Sequence, residues 1–130
     1  MQIPRESIKP GAVFVRERTF TRADVETFTE VSHDRGAHHL APDAQGRLMT
    51  QGLLTATQGT EIGGALDFLA SEMTYRFLRP VFTGDTVRCE VRVDAMRDDP
   101  ERLALEMSFV MRNQQGKDVL SGSVRGVIRK

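Results

Sequence analysis

All three histidines of the chain fall in one short run, Ser32-His33-Asp34-Arg35-Gly36-Ala37-His38-His39-Leu40, beside the carboxylate of Asp34. Three chemistries compete for such a cluster. A polar surface loop can carry its histidines as plain solvated side chains. A metal centre needs three or four converging ligands. Asp34, His38 and His39 could supply part of one, but no second group of His, Cys or paired carboxylates occurs elsewhere, so no metal site is expected. The third is acid–base chemistry, in which a carboxylate and an imidazole share one water and the imidazole, titrating near neutrality, takes a proton and returns it. Such a carboxylate–imidazole pair is the reading favoured, with Asp34 as the carboxylate and both His38 and His39 open as the imidazole.

Such a pair needs rigid elements on both sides. Upstream, Ala12 to Arg18 alternates apolar and charged residues and reads as a short strand. Thr21 can then cap a helix, with Asp24 at the third helical position of a capping box and Phe20 and Val25 forming a hydrophobic staple. Val25, Phe28 and Val31 recur on one face at helical spacing, and Gly36 stops the helix. Downstream, Leu48 to Thr60 carries no charge. Small residues there flank Leu53 and Leu54, as in a helix over 48–62 that is buried and closely approached by other backbone, with Gly59, Gly63 and Gly64 fraying its end.

After Ser71 the period is two. Met73, Tyr75 and Phe77 form one row, Val87, Cys89, Val91 and Val93 a second, Leu103 to Met111 a third, and Val119 to Ile128 a fourth, looser one. The connections hold turn residues: Pro80 and Gly84-Asp85, Asp98-Asp99-Pro100, Gln114-Gln115-Gly116. Consecutive strands joined by short turns are expected to pair antiparallel. Each row has one apolar face, and only the 48–62 helix is apolar enough to cover it. The expectation is an α+β fold, one antiparallel sheet curled around one central buried helix.

Composition narrows the function classes. A chain of 130 residues suits one domain, and 18 Lys+Arg against 18 Asp+Glu leaves no net charge to draw it to nucleic acid or anionic lipid. The lone Cys89 excludes an internal disulfide framework, and its place between Val87 and Val91 makes it a core residue. No stretch has transmembrane length and residues 1–10 hold no apolar run, so the expected location is the cytoplasm.

Asp34, four residues, then His39, behind a helix opened by Phe20-Thr21, resembles the active-site loop of the MaoC-like R-specific enoyl-CoA hydratases and dehydratases, which have the hot-dog fold. Two further blocks carry the likeness. Tyr75-Arg76-Phe77 through Pro80-Val81 to Gly84-Asp85 is similar to that family's hallmark between two strands, and Gln51-Gly52-Leu53-Leu54 is similar to the start of its central helix. The resemblance covers about Phe20 to the end.

It implies addition of water to an α,β-unsaturated acyl thioester of coenzyme A or acyl carrier protein, or the reverse, with no cofactor beyond that carrier. Asp34 and His39 would hold and deprotonate the water. The first N–H groups of the central helix would receive the developing enolate oxygen at Gly52, with Gln51 and Thr60 as further substrate contacts. Three positions depart from the family pattern: Gly36 replaces an asparagine, Ala37 a proline and Gln51 a histidine. Within enzymes the rival is a hot-dog thioesterase using Glu61 on the central helix. Outside enzymes it is a thioester-binding module that has lost catalysis. A sheet of this kind leaves an edge strand unpaired, so a homodimer or higher homo-oligomer is expected, with the catalytic loop and the Gly52 helix start drawn from one subunit or from two. Arg76, Arg79 and Arg88 are candidates for meeting coenzyme A phosphates.

Overall fold

The alternating rows fold as five strands of one antiparallel sheet in a computed structural model that describes residues 2–130. In chain order the elements are β1 (Val13–Thr19), α1 (Arg22–Ser32), α2 (Ala37–Leu40), α3 (Gly52–Ala65), β2 (Leu69–Phe77), β3 (Thr86–Asp98), β4 (Arg102–Arg112) and β5 (Asp118–Arg129), after a 3-10 turn at Arg5–Ser7. Strand order across the sheet is β1-β3-β4-β5-β2. Val87, Cys89, Val91 and Val93 of β3 and the odd-numbered residues Leu103 to Met111 of β4 are buried on one face, which is the face α3 covers.

Two short turns make hairpins as their sequences imply, β3 to β4 and β4 to β5. In the second, Gly116 takes φ +74°, and Asn113 Oδ1 accepts from the N–H groups of Gln115 and Lys117. The expected pairing of consecutive strands fails between β2 and β3. β2 pairs with β5 at one edge of the sheet, whereas β3 lies beside β1 near the other. Residues 78–85 form a crossing connection pinned by backbone rather than a tight turn. Thr50 N–H donates to Val81 O at 2.7 Å, Thr83 N–H to Leu48 O at 2.9 Å, and Gly84 N–H to Phe20 O at 2.8 Å. The segment entering α3 is thereby extended from Leu48 to Gln51, and the helix begins at Gly52 rather than at 48.

Helix α1 starts as its sequence dictates. Thr21 Oγ1 accepts from Asp24 N–H and Asp24 Oδ2 accepts from Thr21 N–H, the reciprocal capping box, while Phe20 and Val25 are both fully buried. Its inward face departs from the expected one at a single position: Val25 is buried and Phe28 packs against the core, whereas Val31 is 77% exposed and Thr29 is buried instead. From Val25 a step of four (Thr29) stays closer to the buried stripe than the steps of three to Phe28 and Val31.

Candidate active site

The Asp34 loop is shaped by its own backbone. His33 closes α1 in the left-handed conformation (φ 61°), with its N–H donating to Thr29 O. Asp34 N–H donates to Ser32 Oγ at 3.1 Å, and Asp34 Oδ1 accepts from Gly36 N–H at 3.2 Å in a local side-chain turn. These bonds leave Asp34 Oδ2 free to face the next element, the single turn of α2. There Ala37–Leu40 sets two imidazoles in succession, their ring centroids 4.0 Å apart.

The two imidazoles differ in burial. His38 is exposed, lying against Gly36, where a Cβ would stand 3.0 Å from its Cε1. The side chain of His39 is only 7% exposed, and its Nε2 lies 3.5 Å from Asp34 Oδ2, whose side chain is 49% exposed. The other ring nitrogen, Nδ1, is 2.6 Å from Met49 O. A carbonyl oxygen can only accept, so Nδ1 carries the hydrogen, and in the neutral ring Nε2 holds the lone pair that faces Asp34. Two acceptors 3.5 Å apart do not bond to each other, but one water at about 2.8 Å from each can donate to both. His33 turns away and lines no cavity with them. Among the described residues no three His, Cys, Asp or Glu side chains converge as metal ligands.

Asp34, His38 and His39 open onto a cavity of about 650 Å³ whose far wall holds Gln51, Gly52 and Leu53 at the start of α3, all from the same chain. The Gln51 amide nitrogen is committed elsewhere: Nε2 donates to Thr29 Oγ1 at 2.9 Å and to Val25 O at 3.3 Å, tying α3 to α1. It therefore does not cap α3, and the first N–H groups of the helix have no side-chain partner. Gly52 accommodates a protein group: the Phe77 ring of β2 lies over it, 2.6 Å from where a Cβ would be. Thr60 is displaced from the site altogether. Eight residues along α3 from Gly52, it lies about 12 Å further along the helix axis and lines a second cavity. Glu61, the thioesterase candidate, is exposed and paired with Arg16 at 3.3 Å. Of the three arginines, Arg79 lines the large cavity, while Arg88 is taken by Glu17 and Glu90.

Three features were not legible from residue types: the Met49 carbonyl that fixes the His39 tautomer, the Phe77 ring over Gly52, and the second cavity. That cavity, about 220 Å³ and almost wholly apolar, lies between the Gly59, Gly63 and Gly64 face of α3 and Met73, Tyr75 and Phe109 of the sheet. The run of glycines was its available signal.

A profile of the thioesterase superfamily matches residues 47–98, a stretch that spans α3, β2 and β3 and begins after the Asp34 loop. No curated protein matches the chain. Among solved structures, a monoamine oxidase regulatory protein from an Archaeoglobus species is 28% identical, covering 99% of this chain and 95% of its own, with a TM-score of 0.78. The R-hydratase PhaJ1 of Pseudomonas aeruginosa is 25% identical, covering 98% of this chain and 86% of its own, with a TM-score of 0.81. The (R)-hydratase of A. caviae involved in PHA biosynthesis is 25% identical, covering 93% and 97%, with a TM-score of 0.82. The chain has the hot-dog fold, and its resemblance to the MaoC-like R-hydratases, first carried by Asp34, His39 and the Pro80-Val81 to Gly84-Asp85 block, extends to the architecture of nearly its whole length.

Proposed function

We propose that the protein is an enoyl-thioester hydratase, or dehydratase in the reverse direction, acting on an acyl group carried by coenzyme A or acyl carrier protein. The observation that carries this reading is the 3.5 Å separation of His39 Nε2 and Asp34 Oδ2 at the wall of the large cavity, with the His39 tautomer fixed by Met49 O. A water held by both loses a proton to the pair as its oxygen bonds to C3 of the enoyl group. The C2–C3 π electrons move toward the thioester carbonyl as an enolate, and the same pair returns a proton to C2. The uncapped N–H groups at the start of α3 face the same cavity and suit the enolate oxygen. The acyl chain then extends along α3 past Phe77 into the apolar second cavity.

Hydrolysis is the second reading, favoured by the thioesterase-superfamily match over residues 47–98. That stretch is the shared helix and strands and leaves out the Asp34 loop, and its candidate Glu61 is held by Arg16 at the surface. The hydratase reading is therefore preferred. The exposed strand β2 has a free edge and presents Leu69, Met73 and Phe77, which supports pairing with a second copy. Among the described residues no helix is long and apolar enough to cross a membrane.

Incubation with the crotonyl thioesters of both coenzyme A and acyl carrier protein tests the proposal. Loss of enoyl absorbance without free thiol is the expected result, whereas thiol release, or no reaction, overturns it.

A further inference from the structure

Among the described residues Arg79 is the only arginine or lysine that lines the large cavity. Most arginines of the chain are held by a carboxylate, as Arg88 is by Glu17 and Glu90 and Arg112 by Asp118. Arg79 is exposed and pairs with no carboxylate among the described residues. Its side chain bonds instead to a neutral acceptor, Nη1 donating to Asp118 O at 2.7 Å, while the Asp118 carboxylate is taken by Arg112 Nε at 3.0 Å. The guanidinium is thus anchored through one nitrogen, with its charge unmatched and further N–H groups free. The backbone beneath it is fixed as well: Leu78 N–H and Arg79 N–H both donate to Val119 O, at 2.9 and 3.3 Å.

The place of Arg79 along the chain says which part of a substrate it meets. Following β2, the second cavity lies at Ala70, Met73 and Tyr75, whereas the large cavity begins at Phe77 and continues along Leu78, Arg79 and Pro80. A thioester has two arms, the acyl chain and the carrier, which leave its carbonyl carbon in different directions. With the acyl chain directed past Phe77 toward Tyr75, the carrier arm leaves on the Arg79 side. In both coenzyme A and acyl carrier protein that arm is phosphopantetheine, uncharged along its amides and anionic at its phosphate. A planar guanidinium with free N–H groups matches phosphate oxygens in both charge and geometry. Asp34, the only carboxylate of the cavity lining, would repel the same group, so the anion belongs at the Arg79 rim.

We propose that Arg79 binds the phosphate of the phosphopantetheine arm and so selects carriers that bear one. The proposal rests on the hydratase reading for the identity of the thioester, and a binding measurement keeps the two apart. Three carriers are compared: coenzyme A, acyl carrier protein, and pantetheine, which lacks the phosphate. Their crotonyl esters give kcat/KM, and their butyryl esters, which are saturated and do not react, give Kd by calorimetry. Arg79→Gln keeps a donor for Asp118 O and removes the charge; Arg79→Lys keeps the charge. Arg79→Gln should weaken binding of the phosphate-bearing esters by about tenfold to a hundredfold, the scale of losing a charge-assisted hydrogen bond. The loss should appear in KM with kcat little changed, because the phosphate lies away from the reacting atoms. The pantetheine ester should bind both forms alike, Arg79→Lys should recover most of the affinity, and added salt should narrow the wild-type preference for a phosphate. A loss on coenzyme A alone assigns the phosphate to that carrier, a loss on acyl carrier protein alone to the other, and a loss on both to the group they share; each supports the proposal. Equal weakening of all three esters, weakening of none, or a loss in kcat alone overturns it. If the wild-type protein hydrates none of the crotonyl esters, the hydratase reading fails and Kd alone decides on Arg79. A phosphate preference that Arg79→Gln abolishes then sustains its role, and a preference that persists, or no binding of any ester, refutes it.

Discussion

Replacing Gly63 with leucine should make the protein more stable and narrow the acyl chains it accepts. A Cβ built at Gly63 meets nothing within 4 Å, so the substitution enters empty space. Gly63 is also inside α3, where glycine is less favourable than a good helix former by about 0.5–1 kcal/mol, and leucine should recover that amount. The added side chain fills part of the second cavity, so a long acyl chain loses room there. Each methylene buried is worth about 0.8 kcal/mol, close to fourfold in kcat/KM, so displacing about three methylenes reduces activity on a long chain by roughly sixtyfold. A short substrate that ends before the cavity should be unaffected. The assay is a thermal melt together with kcat/KM for straight-chain enoyl-CoAs from butenoyl to decenoyl. A less stable variant would show that the space is not free, and an unchanged ratio of long-chain to short-chain activity would show that the chain does not enter this cavity.

Gly52→Ala should cost about 1–3 kcal/mol, because the new methyl would stand 2.6 Å from Phe77 Cε1 and the ring must move; a Phe77→Leu background should recover most of the loss in urea unfolding, and a neutral alanine would refute the contact. Asp24→Ala should cost about 1 kcal/mol through loss of the capping box. Burial alone would raise the Asp24 carboxyl, but hydrogen bonds from Thr21 and the Arg18 charge outweigh it and hold the pKa below the usual 3.8. A folded-state pKa below the unfolded one stabilises the fold above the unfolded value and loses that effect as pH falls through the folded value. The stability gap between wild type and Asp24→Ala should therefore close in acid, and a gap that persists there would contradict the assignment. Burial, with Glu61 and Glu90 nearby, pushes the Cys89 thiol up to about 12, so a disulfide reagent at mildly alkaline pH should find no thiol in the native protein and one per chain after urea. Reaction of the native protein would refute that burial and would also obscure the free-thiol assay for hydrolysis.

The parts of the fold legible in the sequence are those set by local pattern. Strand β4 alternates throughout and β3 as far as Val93, because these parts have one face against the core, and the Thr21–Asp24 box starts α1 where its residues predict. Pairing order is non-local: nothing between Phe77 and Thr86 says that the chain crosses to a strand beside β1, because that path is held by backbone bonds to residues 20, 48 and 50. The first residues of β2 gave no signal, since an edge strand exposed on both faces needs no alternation. At the site, residue type pointed to a carboxylate and an imidazole in the 32–40 loop, and the choice of Asp34 with His39 came from the resemblance. Gln51 and Thr60 were assigned by resemblance, and their actual positions follow from features that spacing does not contain: an amide turned toward α1, and two turns of helix between Gly52 and Thr60.

The central claim is that Asp34 and His39 act on one shared water, and a double-mutant cycle in kcat/KM for crotonyl-CoA tests it most directly. Asp34→Asn and His39→Ala should each lower kcat/KM by about 10²–10⁴, and the double variant should be no worse than the poorer single one, because removing either group already abolishes the shared step. Losses that multiply in the double variant, or a near-normal rate in either single one, would contradict the claim.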